Sequence, residues 1–317
     1  MGRKIFSVVI RLAVTGVAFW VIFRMVDITS LRRVLAAAQP GWILAGACLY
    51  TIAQFGCIAR WKLLAPRHPS LTFFFLTRSF FVATFFNAFL PTTVGGDVAR
   101  GYDLIKTTGQ WQEPLASILM DRLSGMLTLA GFALCASIFF PPAREDPMLR
   151  LSLLGFCLFV VAAFGILGSR RLLQASLRPF SRIGLGTLES HAKQLQGVLL
   201  NYRHRPKVLA VAFLLSAGLQ SGAVGMYAAV AHAVGAHVPL VSLFLIVPIV
   251  FAVSQLPLSL NGWGIREGAT IFLFSRVGGG EVQALSISLI CASIPLLAGA
   301  VGGTLFLLKR RRRPSAP

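Results

Sequence analysis

The chain has 317 residues, 56% of them hydrophobic and only 13% charged, with a mean hydropathy of +0.76. Soluble proteins carry about 25% charged residues, and apolar runs near the length that crosses a bilayer recur here from end to end. A soluble enzyme is therefore excluded, and residues 1–317 read as one all-α polytopic membrane domain. Net charge is +20, from 30 Lys+Arg against 10 Asp+Glu. The basic residues sit between apolar runs and at the chain end, which argues against nucleic acid as a partner. Positive-inside topology and membrane lipids with anionic headgroups account for them.

Eight apolar segments are predicted. The first, over 5–23, follows Arg3 and Lys4. Arg11 interrupts it and Ala36–Ala38 lie too far beyond it, so it reads as a retained span rather than a signal peptide. A polar link over 27–39 leads to a second span over 41–59, with Trp42 and Trp61 at its edges, where indoles favour the interface. Arg60, Lys62 and Arg67 mark the following loop as cytoplasmic. The third run, 71–90, is rich in Phe and long enough to span, yet holds Arg78 and Asn87.

At 87–103 the pattern breaks. The chain reads Asn87-Ala-Phe-Leu-Pro-Thr-Thr-Val-Gly95-Gly96-Asp97-Val-Ala-Arg100-Gly-Tyr-Asp103. Pro91 and the glycine pair stop one helix. Asp97 suits the N-cap of the next, predicted over 97–108. Asp97, Arg100, Asp103 and Lys106 then follow at intervals of three, along one helical side.

The fourth run, 114–140, places Ser117, Asp121, Ser124 and Thr128 on one face. The charged pair Asp121-Arg122 lies within it, which is costly in a membrane and marks a functional site or an ion pair tying helices together. A fifth run covers 151–168. Residues 170–207 hold eight basic residues against Glu189 and do not span; parts of this stretch suit an amphipathic interfacial helix. The sixth run, 208–234, carries Gly218-x-x-x-Gly222, and the eighth, 282–308, carries Gly299-x-x-x-Gly303; both are surfaces for close helix packing. A five-residue basic run at 309–313 opens a tail over 309–317.

The seventh run, 240–256, ends in an echo of the first break: Leu256-Pro257-Leu-Ser-Leu-Asn261-Gly262-Trp-Gly264-Ile-Arg266-Glu267-Gly268. With Pro257 laid on Pro91, Gly262 falls on Gly96 and Arg266 on Arg100. Both could be ordinary polar loops. Paired interruptions in corresponding halves, however, are the best sequence pointer to a transporter's substrate site. Eight full crossings would put the basic stretch 170–207 outside, against the positive-inside rule. Re-entrant hairpins over 71–108 and 240–276 put every basic loop inside. The expected fold is thus six full spans plus two hairpins, as an inverted repeat of about 5–140 and 149–308, with both termini cytoplasmic in the inner (plasma) membrane.

The five cysteines lie inside apolar runs without paired spacing and read as small core residues. No metal cluster, cofactor motif, Ser-His pair or nucleotide loop is visible, so no catalytic residue is assigned and ATP is not expected as a direct drive.

Together, Asn87 with Pro91, Gly95-Gly96-Asp97 and Arg100, then Asp121-Arg122 with Gly125, then Leu256-Pro257 through Asn261-Gly262, Gly264, Arg266 and Glu267 resemble the membrane region of lysylphosphatidylglycerol synthases. The resemblance covers nearly the whole chain. In those synthases this region is thought to move the modified lipid between leaflets, while a separate domain does the aminoacyl transfer. Stand-alone forms are described as flippase-like, so the resemblance implies lipid transport and not synthase activity.

The residues suit that chemistry. Arg100 and Arg266 have the planar fork that matches phosphate, and helix starts after the glycine breaks add favourable dipole ends. Asp97, Asp121 and Glu267 would hold the arginines or bind an amine or sugar hydroxyl. The alternatives are a membrane enzyme acting on a lipid headgroup, or a non-transporting partner of a lipid-modifying enzyme such as a lipid glycosyltransferase. The orientation is testable: single cysteines within 170–207, in a background cleared of native cysteines, should resist a membrane-impermeant thiol reagent in intact cells. Ready labelling from outside would restore eight full crossings.

Overall fold

A computed structural model describes residues 2–90, 94–139, 145–182, 186–255 and 259–311, with side chains described except at 2–10, 178–182, 186–188 and 309–311. Thirteen α-helices lie among them, and the chain is an all-α polytopic membrane protein. Five helices are long and apolar enough to cross a bilayer: α3 (Pro40–Leu64), α6 (Gln112–Phe139), α7 (Pro147–Gly168), α10 (Pro206–Ala233) and α13 (Glu281–Arg311). The count reaches six if α1 (Gly2–Met25) and α2 (Ile28–Ala37), which meet at an 87° bend, are taken together as one span. The chain enters these helices at sequence-encoded starts. Pro40, Pro147 and Pro206 occupy first-turn positions, where a missing N–H costs nothing.

Residues 27–39 are not the plain link that their polarity suggests. Asp27 caps α2 by accepting from the backbone N–H groups of Thr29 and Ser30. Leu31 on the same helix is buried, so a short amphipathic helix closes the end of the first span.

Two apolar helices are too short to cross. α4 (Phe73–Phe89) has 17 residues and α11 (Leu240–Ser254) has 15, against the ~20 that a bilayer core requires. Run 71–90 loses its spanning length because Thr72 caps the helix start and Leu90 already leaves helical geometry. Each short helix packs against the helix that follows it, α5 (Gly95–Thr108) on α4 and α12 (Ile265–Ser275) on α11. The Gly96 N–H donates to Asn87 Oδ1 at 2.7 Å. A side chain at Gly96 would overlap the Ala83 carbonyl and Asn87; one at Gly262 would sit 2.8 Å from the Ser254 carbonyl. Glycine at both breaks is therefore a steric requirement for folding back. The proline of each break, Pro91 and Pro257, lies outside the described residues, as do Thr92, Thr93, Leu256 and Leu258, residues 312–317 and the side chains of the basic run 309–313.

Each of the two short apolar helices packs on a span distant from it in the chain. α4 packs on α13, the last span of the second half, and α11 packs on α6, the last span of the first; α3 and α10 pair along their length. Gly299, Gly302 and Gly303 bring α13 against Thr84, Phe81 and Phe85 of α4, so that a Cβ at Gly302 would overlap the Phe81 carbonyl. On α10 it is Gly222 that meets α3, 3.3 Å from Ala53 Cβ for an added Cβ; Gly218 faces open space. The expected Gly218/Gly222 surface therefore narrows to Gly222 and its neighbour Gly225.

The main core gathers around α11, where Leu243, Leu245, Ile246, Val247 and Val250 are buried among residues of α1, α2, α10, α12 and α13. The spans instead turn apolar residues outward, among them Leu151, Leu154, Leu158 and Val161 of α7, as lipid as solvent permits. Of the cysteines only Cys291 is buried; Cys48 and Cys135 are exposed, so the core reading holds for one of five.

Within 170–204 the described residues form α8 (Arg170–Arg182), α9 (Gly186–Asn201) and a 3₁₀ turn at Tyr202–His204. In α8, Arg170 and Arg171 are exposed while Leu173 is buried, the division of an amphipathic helix. Tyr202 Oη donates to the Leu64 carbonyl at 2.6 Å and Gln196 Nε2 to the Leu167 carbonyl at 3.0 Å, which dock this layer on the ends of α3 and α7.

The glycine seam gives a direct test. Gly302→Val should drive α13 off α4 and cost about 1–3 kcal/mol, the range for overpacking, lowering the melting temperature in detergent. Gly218→Val, with nothing near its Cβ, should leave it unchanged.

Candidate functional site

Arg100 lies in the first full turns of α5, directly after the break, and is buried. Its Nε and Nη2 reach Asp97 Oδ1 at 3.0 and 2.8 Å, and its Nη1 reaches Asp121 Oδ2 at 3.1 Å. The guanidinium also lies over the Trp61 ring, 5.0 Å from its centroid. The other oxygen of Asp121 accepts from Arg60 Nε at 2.8 Å, and Arg60 Nη1 donates to Ser216 Oγ at 2.6 Å. The other oxygen of Asp97 accepts from Arg122 Nε, and Arg122 Nη1 extends to Gln255 Oε1 at 3.4 Å. The result is a chain of alternating charge, Arg60–Asp121–Arg100–Asp97–Arg122. It joins α3, α5 and α6, touches α10 through Ser216 and reaches the end of α11 through Gln255.

The second break builds a tighter unit. Asn261, Gly262 and Gly264 all have positive φ, at 51°, 77° and 82°, a region that favours glycine and admits Asn. This turn starts α12 and is held from outside by α1: the Leu260 N–H donates to Thr15 Oγ1 at 3.0 Å. Glu267 is fully buried. Its Oε2 accepts from the Gly264 N–H at 2.6 Å, which caps the helix, and its Oε1 accepts from Arg266 Nε and Nη2 at 3.0 and 2.6 Å and from Ser288 Oγ at 3.4 Å. Arg266 lies over Trp263, 4.7 Å from the ring centroid. No acceptor meets its Nη1 among the described residues.

The two units face one cavity of about 450 Å³. Its walls include Asn87, Asp97, Arg100, Asp121 and Arg122 from the first half, Asn261 and Arg266 from the second, and Arg60, Thr84, Gly125, Gln220, Ser254 and Gln255. A second compartment of about 280 Å³ adjoins it and shares Phe80, Thr84, Asn87, Asn261 and Arg266. Gly96 and Gly262 stand behind the walls as the points of close helix approach, and Glu267 stands behind Arg266. Gly95 opens onto a different groove, of about 550 Å³, on the outer side of the first hairpin, where Val82, Phe86, Leu90, Tyr102 and Phe306 surround Arg78 and Asp103.

Several expectations change. Asp97 does not cap α5: the helix starts at Gly95, Val94 holds the cap position, and Asp97 sits in the first turn, bound to arginines. Asp97 and Asp103 do not share a side, since steps of three lag behind a 3.6-residue turn and carry Asp103 round to the outer groove. Asp121 and Arg122 are not a pair with each other; adjacent residues on a helix diverge, and each finds its partner on a different neighbour.

Arg60 and Trp61 are not a loop charge and an interfacial indole, because α3 continues to Leu64 and buries both. Arg60 lines the cavity and was not among the residues expected from the sequence. Its signal was an arginine three residues beyond Cys57 in an unbroken helical pattern, masked by its nearness to Lys62 and Arg67. Gln220, Gln255, Ser216 and Thr84 were missed as well, and nothing in their spacing distinguishes them from ordinary helix polar residues.

Among the described residues there is no group of three or more His, Cys, Asp or Glu that could hold a metal ion. What the cavity offers is cationic hydrogen-bond donors in a shielded setting, which suits an anionic oxygen-rich group.

No curated protein and no solved structure matches the chain. A sequence profile described as Lysylphosphatidylglycerol synthase TM region matches residues 8–303. That span takes in both hairpins, all of the cavity and every arginine and carboxylate of the two clusters, and the chain belongs to the family of the lysylphosphatidylglycerol synthase TM region.

Proposed function

We propose that this chain is a lipid translocator that passes a phosphate-bearing lipid between leaflets, with its headgroup carried through the cavity between the two hairpins. The observation that carries this reading is the convergence of Arg100 and Arg266, from corresponding places in the two halves, on one cavity together with Arg60 and Arg122. A headgroup in hydrocarbon needs replacement partners for its lost water, and guanidinium forks supply charge-assisted ones. The arginines divide the work. Each guanidinium nitrogen of Arg100 meets a carboxylate, and the residue holds the site in shape. Arg266 keeps a free Nη1 at the junction of the two compartments and is the residue placed to take the phosphate. The outer groove beside Phe86, Tyr102 and Phe306 gives acyl chains an apolar path along the first hairpin.

In this reading the halves are inverted repeats, the hairpins re-enter from opposite sides, and the chain lies in the inner (plasma) membrane with both termini cytoplasmic. The reciprocal packing of each hairpin on the last span of the other half supports it. A lipid-modifying enzyme is a reasonable supplier of the cargo.

The test uses purified protein in liposomes with a labelled anionic phospholipid. Arg266→Gln alone would leave Glu267 buried without its partner, a loss of roughly 3–5 kcal/mol, so the informative variant is Arg266→Gln with Glu267→Gln, which removes the pair together. That protein should express and run monodisperse, yet lose binding and transport by about tenfold or more, the value of one charge-assisted bond. Arg266→Lys should keep part of the activity, since charge remains and the fork is lost. Transport by the double variant at the parent's rate would remove Arg266 from the substrate path and the proposal with it.

A further inference from the structure

Counting charge and hydrogen bonds at this site says more about the headgroup than its phosphate. Around the cavity stand four guanidiniums, of Arg60, Arg100, Arg122 and Arg266, and three carboxylates, of Asp97, Asp121 and Glu267. The excess is one positive charge. All six carboxylate oxygens already accept: those of Asp121 from Arg60 and Arg100, those of Asp97 from Arg100 and Arg122, and those of Glu267 from Arg266 with Ser288 and from the Gly264 N–H. An ammonium group entering here would compete with guanidiniums for carboxylate oxygens that already accept, and it would meet a site already positive. A phosphate brings the charge to zero.

The second compartment adds the other half of the specificity. Beyond Arg266 its polar lining is Tyr50, Gln54, Thr84, Asn87 and Asn261, and it includes no carboxylate. Hydroxyl and amide groups both donate and accept. They suit a partner that does the same without charge, which is a hydroxyl-bearing group rather than an amine.

Resting on the translocation reading above, we infer that the substrate headgroup is a phosphate ester of an uncharged polyhydroxy group, the phosphate at Arg266 and the hydroxyls in the compartment of Gln54, Thr84 and Asn261, and that aminoacylated, net-cationic lipids are rejected. The same chemistry occurs in a glycerol-headed phospholipid and in a polyprenyl-phosphate sugar. Discrimination comes from repulsion and from the unbroken Arg–carboxylate bonds as much as from fit.

The experiment compares three labelled lipids in proteoliposomes of the full chain: phosphatidylglycerol, its lysyl ester, and a polyprenyl-phosphate hexose, each followed for binding and for movement. At least one of the two uncharged-headgroup phosphates should move about tenfold or more faster than the lysyl ester, a difference of about 1.4 kcal/mol, and the faster of the two identifies the lipid class. Gln54→Glu, which adds a carboxylate with no guanidinium partner, should raise movement of the lysyl ester and slow that of the uncharged headgroup; if that protein fails to express, Thr84→Asp places the charge in the same compartment. Equal movement of lysyl ester and parent lipid, or preference for the ester, overturns the inference and leaves the proposed function standing. If none of the three lipids is bound or moved, the proposed function falls, and the inference with it.

Discussion

The structure depends on the chain Arg60–Asp121–Arg100–Asp97–Arg122, buried at Arg60, Asp121 and Arg100 and half-buried beyond. Taking an ion out of water costs several kcal/mol, and attraction between partners offsets this only where every lone pair and N–H is used. Here each carboxylate oxygen accepts from a guanidinium, and Ser216 and Gln255 take arginine N–H groups that face away from the acids. Shifting any one of α3, α5 or α6 would leave a buried charge unpartnered. The first hairpin is therefore fixed by electrostatics at its second helix as well as by the packing of α4 on α13.

The second hairpin solves the same problem differently. Its apolar helix α11 is buried on nearly all sides, so packing holds it, and only one acid–base pair is needed at its tip. Glu267 both caps α12 and grips Arg266, which leaves the arginine oriented but unsaturated. The two breaks look alike in sequence and differ in what they leave available. Arg100 is a structural node, whereas Arg266 has a donor to spare.

Close helix approach is the second constraint. Gly96, Gly262, Gly299, Gly302 and Gly303 stand where backbone meets backbone or ring across hairpin seams. Without a hydrophobic driving force between helices in lipid, such contacts provide the association. Residues that follow both breaks line one cavity, and irregular backbone at membrane depth is tolerated only against protein or a wet cavity.

The sequence by itself determined the class of the molecule, its interruptions and most of the charges that line the cavity. Composition, the long apolar runs, the Gly95-Gly96 and Gly262 breaks, and the charges Asp97, Arg100, Asp121, Arg122, Arg266 and Glu267 stand out because ions and glycine pairs are expensive in a membrane. Helix identity followed from run length, except where a polar face misled, as at α2, or where a basic cluster concealed the last turns of α3. Only the tertiary structure decided the pairings. Asp121 turned to Arg60 and Arg100 rather than to its neighbour Arg122, Trp61 went under a guanidinium rather than to the interface, and neutral residues as ordinary as Gln54 and Thr84 became walls. The physical reason is that a helix fixes where side chains on one turn point but not what they meet. The partner of a buried charge is set by which helices pack together in three dimensions.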